Sequence, residues 1–169
     1  VYAPCYQLGG DFYDFIALPP DNWGVTIGDV AGKGVRASLL MASIRASLRA
    51  HASSIYHMAD VMARVNRDLC EDALTSDFAT LFYAVLDPHT KRFTYVNAGH
   101  PAPMLLRGGQ AAAMTTGGMV IGIDPSAWYH HEVLHLRSGD VVLAFTDGIF
   151  EAMNFEDEPF GRHRVQKAA

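Results

Sequence analysis

The chain has 169 residues, half of them apolar and 18% charged, with a formal net charge of −5 and a pI of 5.8. That length suits one domain, which at about this size buries roughly 68–70% of its unfolded surface. The acidic balance argues against nucleic-acid and anionic-membrane binding, since both want a basic face.

No apolar run approaches the roughly 20 residues of a membrane span, and no signal peptide opens the chain. Cys5 and Cys70 show neither metal-type spacing nor a disulfide framework, so packed, reduced thiols in a cytoplasmic setting are expected. From the start at Val1 rather than Met, an excised fragment or omitted flanking sequence is expected.

The aromatics and Ile of Asp11 to Leu18 predict a strand, and Pro19-Pro20-Asp21-Asn22 a turn. Trp23 to Asp29 should return as its hairpin partner, bringing Asp11 near Asp29. From about Val35 to Ala52 the apolar residues Ala37, Met41, Ile44, Leu48 and Ala52 recur at helical spacing. A second helix, starting near Ser54 or Ile55, carries the stripe Met58, Val61, Met62, Val65 and Leu69, and the pair should cover one face of a sheet.

The remainder is mainly β. Phe78 to Leu86 and Arg92 to Asn97 read as paired strands, and Gly108-Gly109 as the turn of a further hairpin. Tyr129 to Leu136 includes half-buried alternation, while Val141 to Thr146 reads as a central strand ending at Asp147-Gly148. A short helix is expected over Ile149 to Met153. Strands, two helices and more strands make an α+β layout.

Twice an apolar, β-rich run ends in an aspartate: Ile27-Gly28-Asp29-Val30 and Phe145-Thr146-Asp147-Gly148. With Asp11 this gives three carboxylates at strand ends beside glycine. Held together, such charges repel unless cations neutralise them, and hard oxygen ligands select Mg²⁺ or Mn²⁺ over Zn²⁺. Two such ions could clamp a phosphoryl group and activate a water. The alternative is three unrelated turn or cap residues.

Four motifs go further: Gly9-Gly10-Asp11-Phe12-Tyr13-Asp14, Gly28-Asp29-Val30-Ala31-Gly32-Lys33-Gly34, Asn97-Ala98-Gly99-His100-Pro101 and Thr146-Asp147-Gly148-Ile149-Phe150-Glu151. In this order and spacing the chain resembles the bacterial PPM-type serine/threonine phosphatases of the sporulation stage II E and RsbU kind, relatives of protein phosphatase 2C. The resemblance covers nearly the whole chain. It implies an α/β-β/α four-layer sandwich, two antiparallel sheets each flanked by a helix pair.

The resemblance also implies the chemistry: phosphoserine or phosphothreonine hydrolysis by a metal-bound water, with no phosphoenzyme. By the same resemblance Asp29 bridges two Mn²⁺ or Mg²⁺ ions and Val30 gives one of them its backbone carbonyl. Asp11 reaches the site through coordinated water, and Asp147 binds the second ion. The implied substrate is a phosphorylated regulatory protein of the anti-sigma-factor antagonist type. An upstream sensor or receiver domain and association in pairs are implied as well. A further metal-binding Asp, expected in a last strand, has no counterpart before Ala169, nor has the family's first strand before Val1. Residues 1–169 are therefore expected to form one phosphatase domain, incomplete at both ends. The competing reading is a phosphatase-like adaptor that has lost catalysis.

Among the other polar residues, Asp14 points away from Asp11 and is expected in a structural or outer-shell place. His100 could protonate a leaving serine oxygen, but a hydrogen-bonded structural histidine is the expected role. Glu151 is expected to support a helix rather than bind metal.

Overall fold

In the computed structural model, residues 9–72, 77–161 and 163–165 are described. From the N-terminus the elements are β1 (Phe12–Leu18), β2 (Asn22–Val30), α1 (Gly34–Ala52), α2 (Met58–Asp72), β3 (Ala79–Asp87) and β4 (Arg92–Ala98). They continue with β5 (Met104–Arg107), β6 (Gln110–Ala113), β7 (Gly117–Gly118), β8 (Glu132–His135), β9 (Val141–Leu143) and α3 (Gly148–Glu151). Cys5 lies outside the described residues. Cys70 is a partly buried free thiol.

The first four strands form an antiparallel run, β1-β2-β3-β4, extended beyond β4 by β8 and by the two-residue β7, which pairs parallel. A second sheet has the order β6-β5-β9 and is wholly antiparallel. Two sheets with helices outside them make the mixed α+β architecture that the motifs imply. The short parallel contact of β7 is a departure from purely antiparallel pairing.

Strand alternation sorts the side chains into two cores. On one face of the large sheet Leu81, Tyr83 and Val96 pack with Ile44 and Leu48 of α1 and with Val61, Met62, Val65 and Leu69 of α2. On the other face Phe82, Ala84, Phe93 and Tyr95 meet Leu105 and Met114 of the small-sheet side. The apolar stripe of α2 is buried at every position, so its 3.6-residue period does set the packing face. Outside the small sheet, Met104, Phe145 and Val165 form a minor core with Phe150 of α3. Among the described residues that face carries only α3 and residues 163–165, where the resemblance implies a helix pair.

Three expectations are corrected in detail. The second helix begins at Met58 rather than near Ser54. The Ser54 and Ile55 N–H groups both donate to the His51 carbonyl, and the Ser54 hydroxyl to that of Ala50, so this segment closes α1 instead of opening α2. Tyr129 to Leu136 is a strand only over β8, because Tyr129 turns into the helix-side core. Finally, β9 is short and at the edge of its sheet among the described residues, with Val141 half exposed. Its ladder stops where Leu143 faces Met104, and the chain beyond it swings Phe145 into the minor core.

Asp14 faces the helix layer, opposite to Asp11, and ties β1 to α1. Its carboxylate accepts from Arg49 Nε and Nη2, each at 2.7 Å, and lies 3.3 Å from Arg45 Nη2. The hydrogen bond from Arg49 holds the Asp14 carboxyl below the ordinary carboxylate range, against the opposing effect of burial. A depressed acid contributes stability that is present above its unfolded pKa and lost as pH falls through the folded one. Asp14→Asn should therefore lower the urea midpoint at neutral pH by the equivalent of about 1–2 kcal/mol, with the difference from the parent shrinking in acid.

Candidate functional site

The hairpin register carries two of the three aspartates to one sheet end. Phe12 pairs with Gly28, and the same register, continued by the Val30 N–H donating to the Gly10 carbonyl at 3.3 Å, sets Asp11 opposite Asp29. On the next strand Thr80 pairs with Asp29. Leu81 faces Ala98 on β4, so Thr80 is followed across the sheet by Gly99 and then His100. Asp11, Asp29 and Thr80 share the face that looks toward the second sheet, because residues two apart on a strand share a face and Ile27 and Phe82 pack in the inter-sheet core.

Asp147 arrives from that second sheet, just past β9. One carboxylate oxygen from each of Asp11, Asp29 and Asp147 lies within 4.8 Å of the others, and all three residues are half-buried. A second link crosses between the sheets here: the Thr146 hydroxyl donates to Asp11 Oδ2 at 3.0 Å. The cluster borders an open cleft of about 440 Å³, walled also by Thr80, His100, Phe150 and Glu151.

The electrostatics at Asp29 are repulsive. Burial, then a hydrogen bond with Asp11, then the charges of Asp11, Asp147 and Glu151 push the Asp29 pKa up to about 7. Among the described residues, no lysine or arginine lines the cleft. A half-buried all-oxygen donor set whose members repel one another fits a hard divalent cation. Val30 belongs to the same rim. Its side chain is buried in the helix-side core, and its carbonyl oxygen lies so close to Gly10 that a Cβ there would come within 2.4 Å of it. Gly10 thus keeps that carbonyl uncovered.

Asp14, on the far face, is not brought to the cluster; its partners are the arginines of α1. His100 is buried, with its Nδ1 at 2.8 Å from the Thr80 hydroxyl, and burial pushes its pKa down to about 4. It is uncharged near neutrality, which favours the structural role over that of a proton donor. Glu151 caps the cleft wall, close enough to act on Asp29, and so is more than a helix support. The sequence reading gave no role to Thr80 or Thr146, although Thr146 opens the fourth motif and Thr80 is a polar residue of the inward set in an otherwise apolar strand.

The sequence and the fold both have known relatives. Phosphoserine phosphatase RsbU of Bacillus subtilis (strain 168) is 29% identical over 153 residues, covering 89% of this chain and 45% of RsbU. The crystal structure of the RsbU and RsbW domains of Rv1364c from Mycobacterium tuberculosis superposes with a TM-score of 0.80 at 29% identity, over 99% of this chain and 46% of that one. The SiaA-PP2C domain of Pseudomonas aeruginosa reaches a TM-score of 0.85 at 20% identity, over 99% of this chain and 68% of its own, and supports the fold alone. The chain spans less than half the length of the curated relatives it matches. The family model described as Stage II sporulation protein E (SpoIIE) matches residues 19–169. With four motifs in register, the fold of these phosphatase domains and a match over most of its length, this chain belongs to the SpoIIE family.

Proposed function

We propose that the chain is the phosphatase domain of a metal-dependent protein serine/threonine phosphatase. It acts on phosphoserine or phosphothreonine of a regulatory partner of the anti-sigma-factor antagonist type. The observation that supports this reading most strongly is the cluster of Asp11, Asp29 and Asp147, of which Asp29 and Asp147 line an open cleft. The name phosphoserine phosphatase, carried by RsbU, agrees with it.

Asp29, with the Val30 carbonyl, and Asp147 would hold two Mn²⁺ or Mg²⁺ ions, with Asp11 beside them. Bound there, divalent ions would neutralise phosphoryl charge and lower the pKa of coordinated water. The protein's own contribution is positional. Thr146 fixes the Asp11 carboxylate, the two sheets bring Asp29 and Asp147 face to face, and the cleft admits a side chain from an exposed loop of the partner. Glu151 adds negative charge that discourages a phosphate dianion from entering without cations.

No helix among the described residues is long and apolar enough to cross a membrane. A cytoplasmic protein with an upstream sensor or receiver domain, working in pairs, completes the reading.

The test is phosphate release from a phosphoserine protein in Mn²⁺. Asp29→Ala should reduce the rate by about 10²–10³-fold, the scale of losing a transition-state electrostatic stabiliser. Equal rates for parent and variant would sink the enzymatic reading and favour an adaptor without catalysis.

A further inference from the structure

Asn97-Ala98-Gly99-His100-Pro101 contributes no carboxylate to the site, yet its polar atoms are committed with unusual completeness. The Asn97 amide, almost fully buried, donates to the His100 carbonyl at 3.0 Å and to the Met114 carbonyl at 3.1 Å. Its Oδ1 accepts the His100 N–H at 2.8 Å. One side chain therefore holds both backbone groups of His100 and fixes where the imidazole starts.

The ring then reaches between the sheets. Its Nδ1 meets the hydroxyl of Thr80, which is the cross-strand partner of Asp29 and lies 3.5 Å from the Asp29 carbonyl. The ring also lies near the backbone of Phe145, two residues before Asp147. The Nε2 is buried without a hydrogen-bond partner. Burying a ring nitrogen in that condition is costly, and an apolar side chain would avoid the cost. Leucine, however, would leave the Thr80 hydroxyl without its histidine partner.

We infer that His100 is a positioning residue: clamped by Asn97, it props Thr80 against the end of β2 and spaces Asp29, on that strand, from Asp147, at the start of α3. The inference rests on reading those aspartates as metal ligands. Groups that orient ligands without touching the metal commonly govern affinity by 10–100-fold. The motif's role is thus to set the distance between carboxylates.

The test titrates Mn²⁺ into the full chain, following free Mn²⁺ by electron paramagnetic resonance. Thermal melting without metal reports the fold, and Asp29→Ala marks loss of the site. Thr80→Val and His100→Leu should each weaken Mn²⁺ binding by about 10-fold or more while still melting cooperatively. His100→Asn, which returns a polar group near the Nδ1 position, should recover most of the affinity and leave the shape of the pH–rate profile unchanged.

Parent-like Mn²⁺ affinity in both Thr80→Val and His100→Leu, with only the melting temperature lowered, would make the histidine merely structural and overturn the inference. So would equal affinity in His100→Leu and His100→Asn. Loss of one limb of the pH profile in His100→Asn with Mn²⁺ binding intact would make it a proton donor instead, which also overturns it. Should His100→Leu fail to fold, Thr80→Val and His100→Asn carry the comparison. A parent chain that binds no more Mn²⁺ than Asp29→Ala overturns the metal reading itself, together with this inference. A parent that binds while the variants match it overturns this inference alone.

Discussion

Asp29→Asn should make the metal-free protein more stable above neutral pH and at the same time abolish its response to Mn²⁺. The two effects have one cause. In the folded protein the Asp29 pKa is pushed up to about 7, chiefly by burial and then by Asp11, Asp147 and Glu151. Between the ordinary carboxylate range and that value the folded state holds a proton that the unfolded chain has released. Stability therefore falls as pH rises through this window, which is opposite in sign to the contribution of Asp14.

A tenfold change in acidity between folded and unfolded states corresponds to about 1.4 kcal/mol, but Asp29 is only half-buried and its neighbours are solvent-screened. Screening leaves about 1–2 kcal/mol to be recovered by the substitution. The amide removes that penalty and, with it, the charge that would draw the ions. Melting curves from acid to alkaline pH, in chelator and in Mn²⁺, check both halves. The parent should show falling stability with pH in chelator and a rise on adding Mn²⁺, whereas the variant should show neither. A variant less stable than the parent above neutral pH in chelator would mean that Asp29 is favourably paired rather than repelled.

Much of this was legible in the sequence because it depends on local periodicity. The stripe of α2 is a consequence of helix geometry and buries every residue it names, whereas in β1 strand alternation buries Phe12 and Ile16 but leaves Tyr13 and Phe15 exposed. The approach of Asp11 to Asp29 followed from a hairpin with one short turn. What the sequence could not show depends on contacts between distant segments. Thr146 meets Asp11 across 135 positions, and Arg49 meets Asp14 across 35, with no local pattern to announce either. The edge position of β9 was hidden for the same reason: its apolar residues look the same whether a neighbour lies on one side or two. Asn97 and His100 stood in a visible motif, but the motif gave their spacing and not the Thr80 contact that explains it.

Gly117→Ala should be the most damaging of the small substitutions away from the carboxylates. Gly117 pairs in parallel with Asn97, and an added Cβ would fall 1.8 Å from the Asn97 carbonyl oxygen, 2.5 Å from its carbon and 2.6 Å from its nitrogen. These are main-chain atoms of a buried strand, so no side-chain rotation relieves the clash, and β7 has to stand away from β4. That movement strains the Asn97 N–H bond to Thr116 at 2.9 Å and the His130 N–H bond to the Gly117 carbonyl at 3.0 Å. It also disturbs the amide of Asn97, which clamps His100.

A loss of more than about 3 kcal/mol is expected, beyond the usual cost of overpacking because the obstacle is backbone. Urea unfolding measures that loss. Mn²⁺ titration of the fraction still folded should show weakened binding as well, since the displaced strand lies against Asn97, whose amide clamps His100. A parent-like midpoint would mean that β7 can leave β4 at little cost. A lowered midpoint with parent-like Mn²⁺ affinity would separate the packing of this strand from the geometry of the site.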